Sequence, residues 1–493
     1  MGEIKKQSLN GMKWTAIEKF SIQGVNFLLG IIVARLLTPD DYGLVGMLGI
    51  FFAISQTLID SGFSNALIRK LDCTNDDYCT VFYFNLVVSF LCMMAFMLGA
   101  PLIADFFHQP QLTAIARVSS INLFLGSFAG IQYAKLTKEL NFKSQAKVNF
   151  ISAVCSGVLG LIMAYMGYGV WAIVWPGIFA NVIRTVLLFW IVKWWPSLIF
   201  SWKSFKELFN YGSKLMASGL LHTFYSEMTG IFIGRYYSAK ALGNYSRGTG
   251  MASMPLNTLN SILSRVTFPI FAKMQNEDEK LIAVYRKYIC LNALVVSFGC
   301  ILMAALAEPI ILILLGQKWA GAIIFLQIFA FAIMFDPLCA LNLNLLQVKG
   351  RSDLFLRLEI IKKTISFAIL LCAVPIGVIA ICISKVIYTQ IAVILNTYYT
   401  GKLFKLGYWA QMRDFMPFFL YSIISCLPAY LLTLCIPYHW VSSILGGISA
   451  VTIYVAILSF TKNATYQEFV QPYLTKAMNF ISIKSKGVKT QED

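Results

Sequence analysis

A few charged and polar residues interrupt otherwise apolar sequence, and chemistry would reside there. Lys19, Lys214, Arg247 and Arg265 each fall inside a run long enough to cross a bilayer. A charge at that depth costs about 2.5–3.5 kcal/mol on insertion scales, so it should face a wet interior rather than lipid. Such cations can hold an anion, for example a pyrophosphate or an acidic sugar. Asn26 and His222 share faces with Lys19 and Lys214 and join them as candidates. The competing reading has Lys19 and Arg265 snorkelling to the cytoplasmic face or pairing with acids such as Glu18. Asp60, Glu227, Glu308, Asp336 and Glu359 are the main intramembrane acids. Glu227 sits mid-run, off the Lys214 stripe, where a lone acid can bind a coupling proton or sodium ion. Alternatively it is a structural partner for Lys362 or Lys385. His222 reads equally as a hydrogen-bonded packing residue or a titrating one.

No constellation for covalent chemistry is present. The chain has no Walker A loop, no HExxH and no dinucleotide fingerprint. The expectation is a protein that is not an enzyme, with no metal and no cofactor beyond a coupling H+ or Na+. Energy would come from an ion gradient, the membrane potential or the substrate gradient. The 11 cysteines are scattered without a CxxC pair. Cys372, Cys382 and Cys435 lie near outer ends, where a bridge is allowed, but small buried hydrophobes are the expected role.

The elements that must position these residues are membrane spans. Of 493 residues, 58% are apolar and 13% charged, about half the ~25% charge of a soluble domain. Mean hydropathy is +0.70. A soluble enzyme, a nucleic-acid-binding protein and a disordered chain are excluded. Fourteen runs approach the ~20 residues needed to cross; the second and eighth, rich in Gly, Ser and Asn, are the weakest. The net charge of +17 is distributed unevenly. With the N-terminus inside, cytoplasmic segments carry 27 Lys or Arg and outer ends carry four, Arg35, Arg235, Lys240 and Lys318. That bias puts both termini in the cytoplasm and requires an even number of spans. The first run, long and without a small-residue cleavage site, reads as retained.

The chain also repeats itself. Arg35-Leu-Leu-Thr-Pro-Asp-Asp-Tyr-Gly43 is echoed by Arg235-Tyr-Tyr-Ser-Ala-Lys-Ala-Leu-Gly243. Arg35, Pro39, Gly43, Arg235 and Gly243 are its structural signature. Pro101 with Gln109 is echoed by Pro309 with Gln317, and Gly169-Val-Trp-Ala-Ile173 by Gly377-Val-Ile-Ala-Ile381. A six-span repeat gives parallel halves about an axis along the membrane normal, with a cavity between them. The expected architecture is all-α and integral to the membrane. It has 14 transmembrane helices, arranged as two pseudo-symmetric six-helix lobes plus two C-terminal helices around a central cavity. Residues 1–196 form the first lobe, 210–401 the second, 402–462 the last two spans and 463–493 a cytoplasmic tail. Between the lobes, 197–209 places Trp202, Phe205, Leu208 and Phe209 on one face, suiting a helix lying in the cytoplasmic interface. Residues 466–483, with Phe469, Tyr473, Ala477 and Phe480 in register, look similar.

At 100° per residue, the first span gathers Thr15, Lys19, Gln23, Asn26 and Gly30 within about 80° of arc. The seventh gathers Lys214, Ser218, His222, Tyr225 and Thr229. The eighth aligns Arg247, Thr258, Ser261 and Arg265, with Pro255 as a kink. Arg184, Lys362, Lys363 and Lys385 also lie in or beside spans but have no assigned orientation.

Several stretches resemble a known family. Ala34-Arg-Leu-Leu-Thr-Pro-Asp-Asp-Tyr-Gly43 and Asp60-Ser-Gly-Phe-Ser-Asn-Ala-Leu-Ile68 look like the ends of its first two helices. Pro101-Leu-Ile-Ala-Asp-Phe-Phe107, Asn141-Phe-Lys143, Gly167-Tyr-Gly-Val-Trp-Ala172, Leu242-Gly-Asn-Tyr-Ser246, Phe268-Pro269 and Gly316-Gln-Lys-Trp319 match further stretches. The family is the exopolysaccharide and O-antigen flippase branch of the multidrug, oligosaccharidyl-lipid and polysaccharide exporter superfamily. The resemblance implies alternating access by two six-helix lobes with two extra helices. It implies movement of undecaprenyl-diphosphate-linked oligosaccharide from the inner to the outer leaflet of the bacterial cytoplasmic (inner) membrane. Relatives carry cationic lumens, a cation in helix one near the position of Lys19, and an acid in helix seven near that of Glu227. Membrane lipid, a polysaccharide polymerase and glycosyltransferases are the expected partners, with no nucleic acid and a working monomer. The rivals are a cation-coupled multidrug antiporter of the same superfamily and, in another class, a membrane polysaccharide polymerase or ligase. The latter usually carries a long outer loop, whereas the longest outer connection here is about ten residues.

Overall fold

The computed structural model describes residues 21–60, 62–70, 72–469 and 471–472, which are helical with no strand among them. The helices are α1 (Ser21–Leu36), α2 (Pro39–Asp60), α3 (Phe63–Arg69), α4 (Asn75–Phe107), α5 (Leu112–Ser127), α6 (Gly130–Lys138), α7 (Phe142–Tyr165), α8 (Trp171–Val192), α9 (Trp202–Tyr236) and α10 (Ala239–Lys273). There follow α11 (Asp278–Ala305), α12 (Ala307–Leu314), a 3-10 turn (Gln317–Ala322), α13 (Ile323–Ile333), α14 (Asp336–Val348), α15 (Ser352–Ala373), α16 (Val378–Phe404), α17 (Tyr408–Cys435), α18 (His439–Phe460) and α19 (Ala464–Phe469). Within hydrocarbon a helix satisfies its own backbone, which is why apolar runs of this length take that form. Among the described residues, 10 spans are long and apolar enough to cross a membrane, including the weakly patterned second run. The seventh, eighth and eleventh runs coincide with α9, α10 and α15, helical but more polar than that standard, and the first with α1, described from Ser21 onward.

Two compact units divide the chain, Met1–Ser246 and Arg247–Asp493. The boundary falls within α10. Residues 202–209 are the opening turns of the 35-residue α9, not a separate interfacial helix. Leu208 is buried, and Phe205 lies 5.3 Å from Phe84, 6.0 Å from Phe63 and 5.2 Å from Phe209 between ring centroids. On this apolar face protein covers Leu208 and part of Phe205, while Trp202 and Phe209 are exposed. In the tail, residues 473–493 lie outside the described residues, as do the side chains of Phe469, Tyr473, Ala477 and Phe480.

The first unit is tied at the ends assigned to the cytoplasm. Thr74 caps α4 and exchanges hydrogen bonds with Asp77 in a capping box. Lys70 bridges Asp77 and Glu207 at 3.0 Å each, joining the start of α4 to α9. Burial works against the Lys70 charge, but hydrogen bonds to the two carboxylates outweigh it and hold its pKa above the ordinary lysine value. Lys138 donates to the Lys70 carbonyl at 2.6 Å, and Lys135 lies over the Tyr78 and Trp194 rings. These positive residues thus also hold helix ends together.

The second unit has a wholly buried polar knot. Gln411 of α17 accepts from Asn342 Nδ2 at 2.8 Å and from the Tyr285 hydroxyl at 3.3 Å. Its Nε2 donates to Asn342 Oδ1, Thr400 Oγ1 and the Leu406 carbonyl at 3.0, 3.1 and 2.9 Å. Four helices, α11, α14, α16 and α17, meet there. Arg286 holds Asp414 through two bonds of 2.7 and 2.6 Å nearby. Trp319, from the Gly316-Gln-Lys-Trp319 stretch, is fully buried. All 11 cysteines are free, and of the three allowed a bridge Cys372 and Cys435 are exposed while Cys382 is buried.

Candidate functional site

The first-span stripe is described from residue 21 onward, so Thr15 and Lys19 lie outside the described residues. Leu29 of α1 meets Gly157 of α7, and Val33 of α1 and Leu37 just beyond it pack with Ala164 and Ala172. That i, i+4, i+8 face leaves Asn26 exposed and Gly30 beside open space. On α9 the predicted stripe is accessible: Lys214, Ser218 and His222 are exposed, Tyr225 and Thr229 half-buried. Arg247 is half-buried on α10, and the side chain of Arg265 lies outside the described residues.

A different face of α9 packs antiparallel along α2 through small residues. Gly62 meets Gly212, Thr57 meets Gly219, and Gly234 meets Met47. The Thr57 and Thr223 hydroxyls are hydrogen-bonded at 3.1 Å. Glu227 belongs to this seam, its Oε2 against Gly49. Glu227 has no hydrogen bond or ion pair among the described residues. Lys362, one partner expected for it, is buried in the second unit and paired with Glu359 one turn away. Lys385 lies over the Tyr388 ring at 5.0 Å, and the charges of Lys362 and Lys385 both act on Asp336. Asn396, also buried in that unit, has neither amide atom hydrogen-bonded among the described residues.

The repeated signature has a local explanation. Thr38 accepts from the Asp41 amide at 3.3 Å and donates to its carboxylate at 2.7 Å, starting α2. Ser238 accepts from the Ala241 amide at 3.1 Å, starting α10. The two starts cross at the signature glycines: a Cβ on Gly43 would overlap the Ala239 carbonyl, and one on Gly243 the Pro39 carbonyl. Arg235 is bonded to His108 and stacks over Phe106 at 5.1 Å, pinning α9 to the end of α4. Gly169 and Gly377, paired in another echo, open α8 and α16 with φ of 54° and 152°, where a side chain would be strained. Signature residues therefore serve caps, turns and a close crossing.

A polar cavity of about 650 Å³ lies wholly within the first unit. It is bounded by the last turns of α2, the α5–α6 junction, α8 and the early turns of α9, and its walls include Gln56, Asp60, Tyr133, Thr137, Asn181 and Arg184. Arg184 donates through Nη1 to Asn181 Oδ1 at 2.8 Å, and Asn181 donates to Asn122 Oδ1 at 2.6 Å. Its Nε is buried without a partner among the described residues. Gln56 donates to Asp60 Oδ1 at 3.0 Å. Asp60 and Arg184, named from sequence without an assigned role, line this cavity, whereas Asn26, Lys214, His222, Glu227 and Arg247 do not. The missed signal was Gly177, Asn181 and Arg184, spaced i, i+4, i+7 on one stripe of α8; Gly177 and Gly126 leave room for Asn122 and Asn181.

The chain is similar to the teichuronic acid biosynthesis protein TuaB of Bacillus subtilis (strain 168), 29% identical over 367 residues, 72% of this chain and 74% of that one. It is similar to the lipopolysaccharide biosynthesis protein WzxC of Escherichia coli (strain K12), 25% identical over 380 residues and 73% of each chain. In fold it resembles the lipid II flippase MurJ in an inward closed conformation. The TM-score is 0.72 at 13% identity, over 92% of this chain and 99% of that one. An inward-facing multidrug resistance MATE family transporter of the MOP superfamily follows at TM-score 0.58 and 18% identity, over 81% of this chain and 98% of that one. The chain is a multi-pass helical membrane protein. The family described as polysaccharide biosynthesis protein matches residues 32–324, more than half of the sequence, and the chain belongs to that family.

Proposed function

We propose that this protein flips a lipid-linked oligosaccharide, carried on undecaprenyl diphosphate, from the inner to the outer leaflet of a bacterial cytoplasmic membrane. It does so through 14 spans by alternating access, without covalent chemistry, and both termini are cytoplasmic. Membership of the polysaccharide biosynthesis family and relatives named for teichuronic acid and lipopolysaccharide biosynthesis support the substrate class. The observation that carries the reading is on α9, where Lys214, Ser218 and His222 stay exposed while another face is packed on α2. A lysine left exposed within so apolar a chain serves a wet path. The lipid tail can remain in the bilayer, but a diphosphate and sugars in hydrocarbon would leave every polar group unpaired. A cationic, hydrated path replaces that lost hydration. Lys19 and Lys214 hold the anionic head group, with Arg247, Arg265 and Asn26 along its route. Lys19→Gln with Lys214→Gln is expected to abolish surface polysaccharide in complementation at unchanged membrane abundance. Normal polymer would refute the cation role, and dye efflux in place of polymer would favour a multidrug exporter.

Glu227 serves as the coupling site for H+ or Na+. Its carboxylate lies against a glycine with no protein partner among the described residues, leaving it available to a cation. In proteoliposomes, an imposed proton or sodium gradient is expected to accelerate flipping several-fold for wild type. Glu227→Gln, which keeps the shape and removes the charge, should give the ungraded rate with or without a gradient. A retained response would assign coupling elsewhere.

A further inference from the structure

We propose that the cavity inside the first unit is a sugar-binding subsite, with Arg184 and Asp60 reading the hydroxyl or carboxyl groups of the glycan head. This deepens the flippase reading and rests on it. Arg184 and Asp60 line one void of about 650 Å³, and among the described residues no ion pair joins them. Each is anchored by an amide instead, Arg184 by Asn181 and Asp60 by Gln56. Asn181 is fixed in turn by Asn122, so the guanidinium is held in place. Its Nε, buried and unpartnered among the described residues, retains donor capacity, and Asp60 retains a carboxylate oxygen with no bond among them.

A void walled by a donor-rich cation and an acceptor-only anion suits a ligand that both accepts and donates. A sugar ring does this: its oxygens accept from Arg184 and its hydroxyls donate to Asp60. A diphosphate only accepts, and Asp60 would repel it. The volume falls within the roughly 300–1,000 Å³ of small-ligand sites. Arginine also matches a sugar carboxylate through two parallel bonds, so a uronic acid fits with its carboxylate on Arg184 and its hydroxyls, not its carboxylate, facing Asp60.

The test uses the full chain reconstituted in nanodiscs and three short-chain prenyl probes. These are the bare diphosphate, the diphosphate carrying N-acetylglucosamine, and the diphosphate carrying a disaccharide that ends in a uronic acid. Binding is measured by calorimetry. Wild type should hold the sugar-bearing probes more tightly than the bare one. Arg184→Gln and Asp60→Asn should each weaken sugar-bearing probes about tenfold to a hundredfold and leave the bare diphosphate unchanged. Asp60→Asn, which keeps an oxygen for Gln56, carries the test if Arg184→Gln does not fold. Equal weakening of all three probes would reassign Arg184 to the diphosphate, and unchanged binding throughout would make the cluster structural; either overturns the subsite. Failure of the wild type to bind any probe would instead overturn the flippase reading itself.

Discussion

Gly43→Leu is expected to eliminate surface polysaccharide while the protein remains inserted in the membrane, and Gly243→Leu to do the same. At Gly43 an added Cβ would overlap the Ala239 carbonyl, and at Gly243 the Pro39 carbonyl. Backbone carbonyls have no rotamer to change, so the opening turns of α2 and α10 would have to move apart. Overpacking of this kind costs about 1–3 kcal/mol where side chains can adjust and more where they cannot. The loss should fall on the crossing, because Thr38 and Ser238 cap the two helices independently of it. Charge bias assigns this end to the outer face; on the alternating access proposed above, the crossing is expected to close the outer path and the variants to fail to complete a cycle. Gly43→Ala should lie between wild type and leucine. The measurement is surface polymer by immunoblot, normalised to membrane abundance. Wild-type polymer from Gly43→Leu at normal abundance would refute the closure role, and loss of the protein itself would make the contact purely structural.

This crossing also shows how far the residues alone could be read. Repetition of Arg, Thr or Ser, and Gly at fixed spacing marked a shared structural job, and helix caps have recognisable chemistry. What the repeat could not reveal was that each glycine serves the other copy's helix start, because a close approach depends on two segments 200 positions apart. The face of residues 202–209 shows the same limit. Periodicity identified its apolar stripe, but lipid and the rings of Phe63 and Phe84 impose the same pattern, and only the fold distinguishes them. Arg184 differs again. Its stripe with Asn181 and Gly177 was legible, yet Asn122 and Asp60, from other helices, give it meaning. Local periodicity therefore exposed helices, faces and caps, whereas pairings across helices needed the structure.

The polar knot of the second unit permits the sharpest stability test. Gln411→Leu keeps the approximate volume but removes both halves of the amide. Asn342 retains its bond to the Leu338 carbonyl and the bond it accepts from Thr400, at 2.9 and 2.8 Å. The Leu406 carbonyl retains Thr400 at 3.3 Å. The Tyr285 hydroxyl, on a fully buried residue, loses the partner it has here. An orphaned buried hydroxyl costs about 1–3 kcal/mol, and weakening of the remaining bonds adds to it, so the single variant should lose roughly 2–4 kcal/mol. Tyr285→Phe removes the orphan. Adding it to Gln411→Leu should restore part of the loss, although in the wild-type background it destabilises by about 0.5–1.5 kcal/mol. That reversal of sign distinguishes a hydrogen-bonded knot from simple packing, for which the two losses would add. Thermal unfolding of the four proteins in one detergent measures it as a double-mutant cycle. Additive losses would mean that the 3.3 Å contact between Tyr285 and Gln411 contributes no hydrogen-bond energy, and that the helix ends are held by packing and by the Arg286–Asp414 pair.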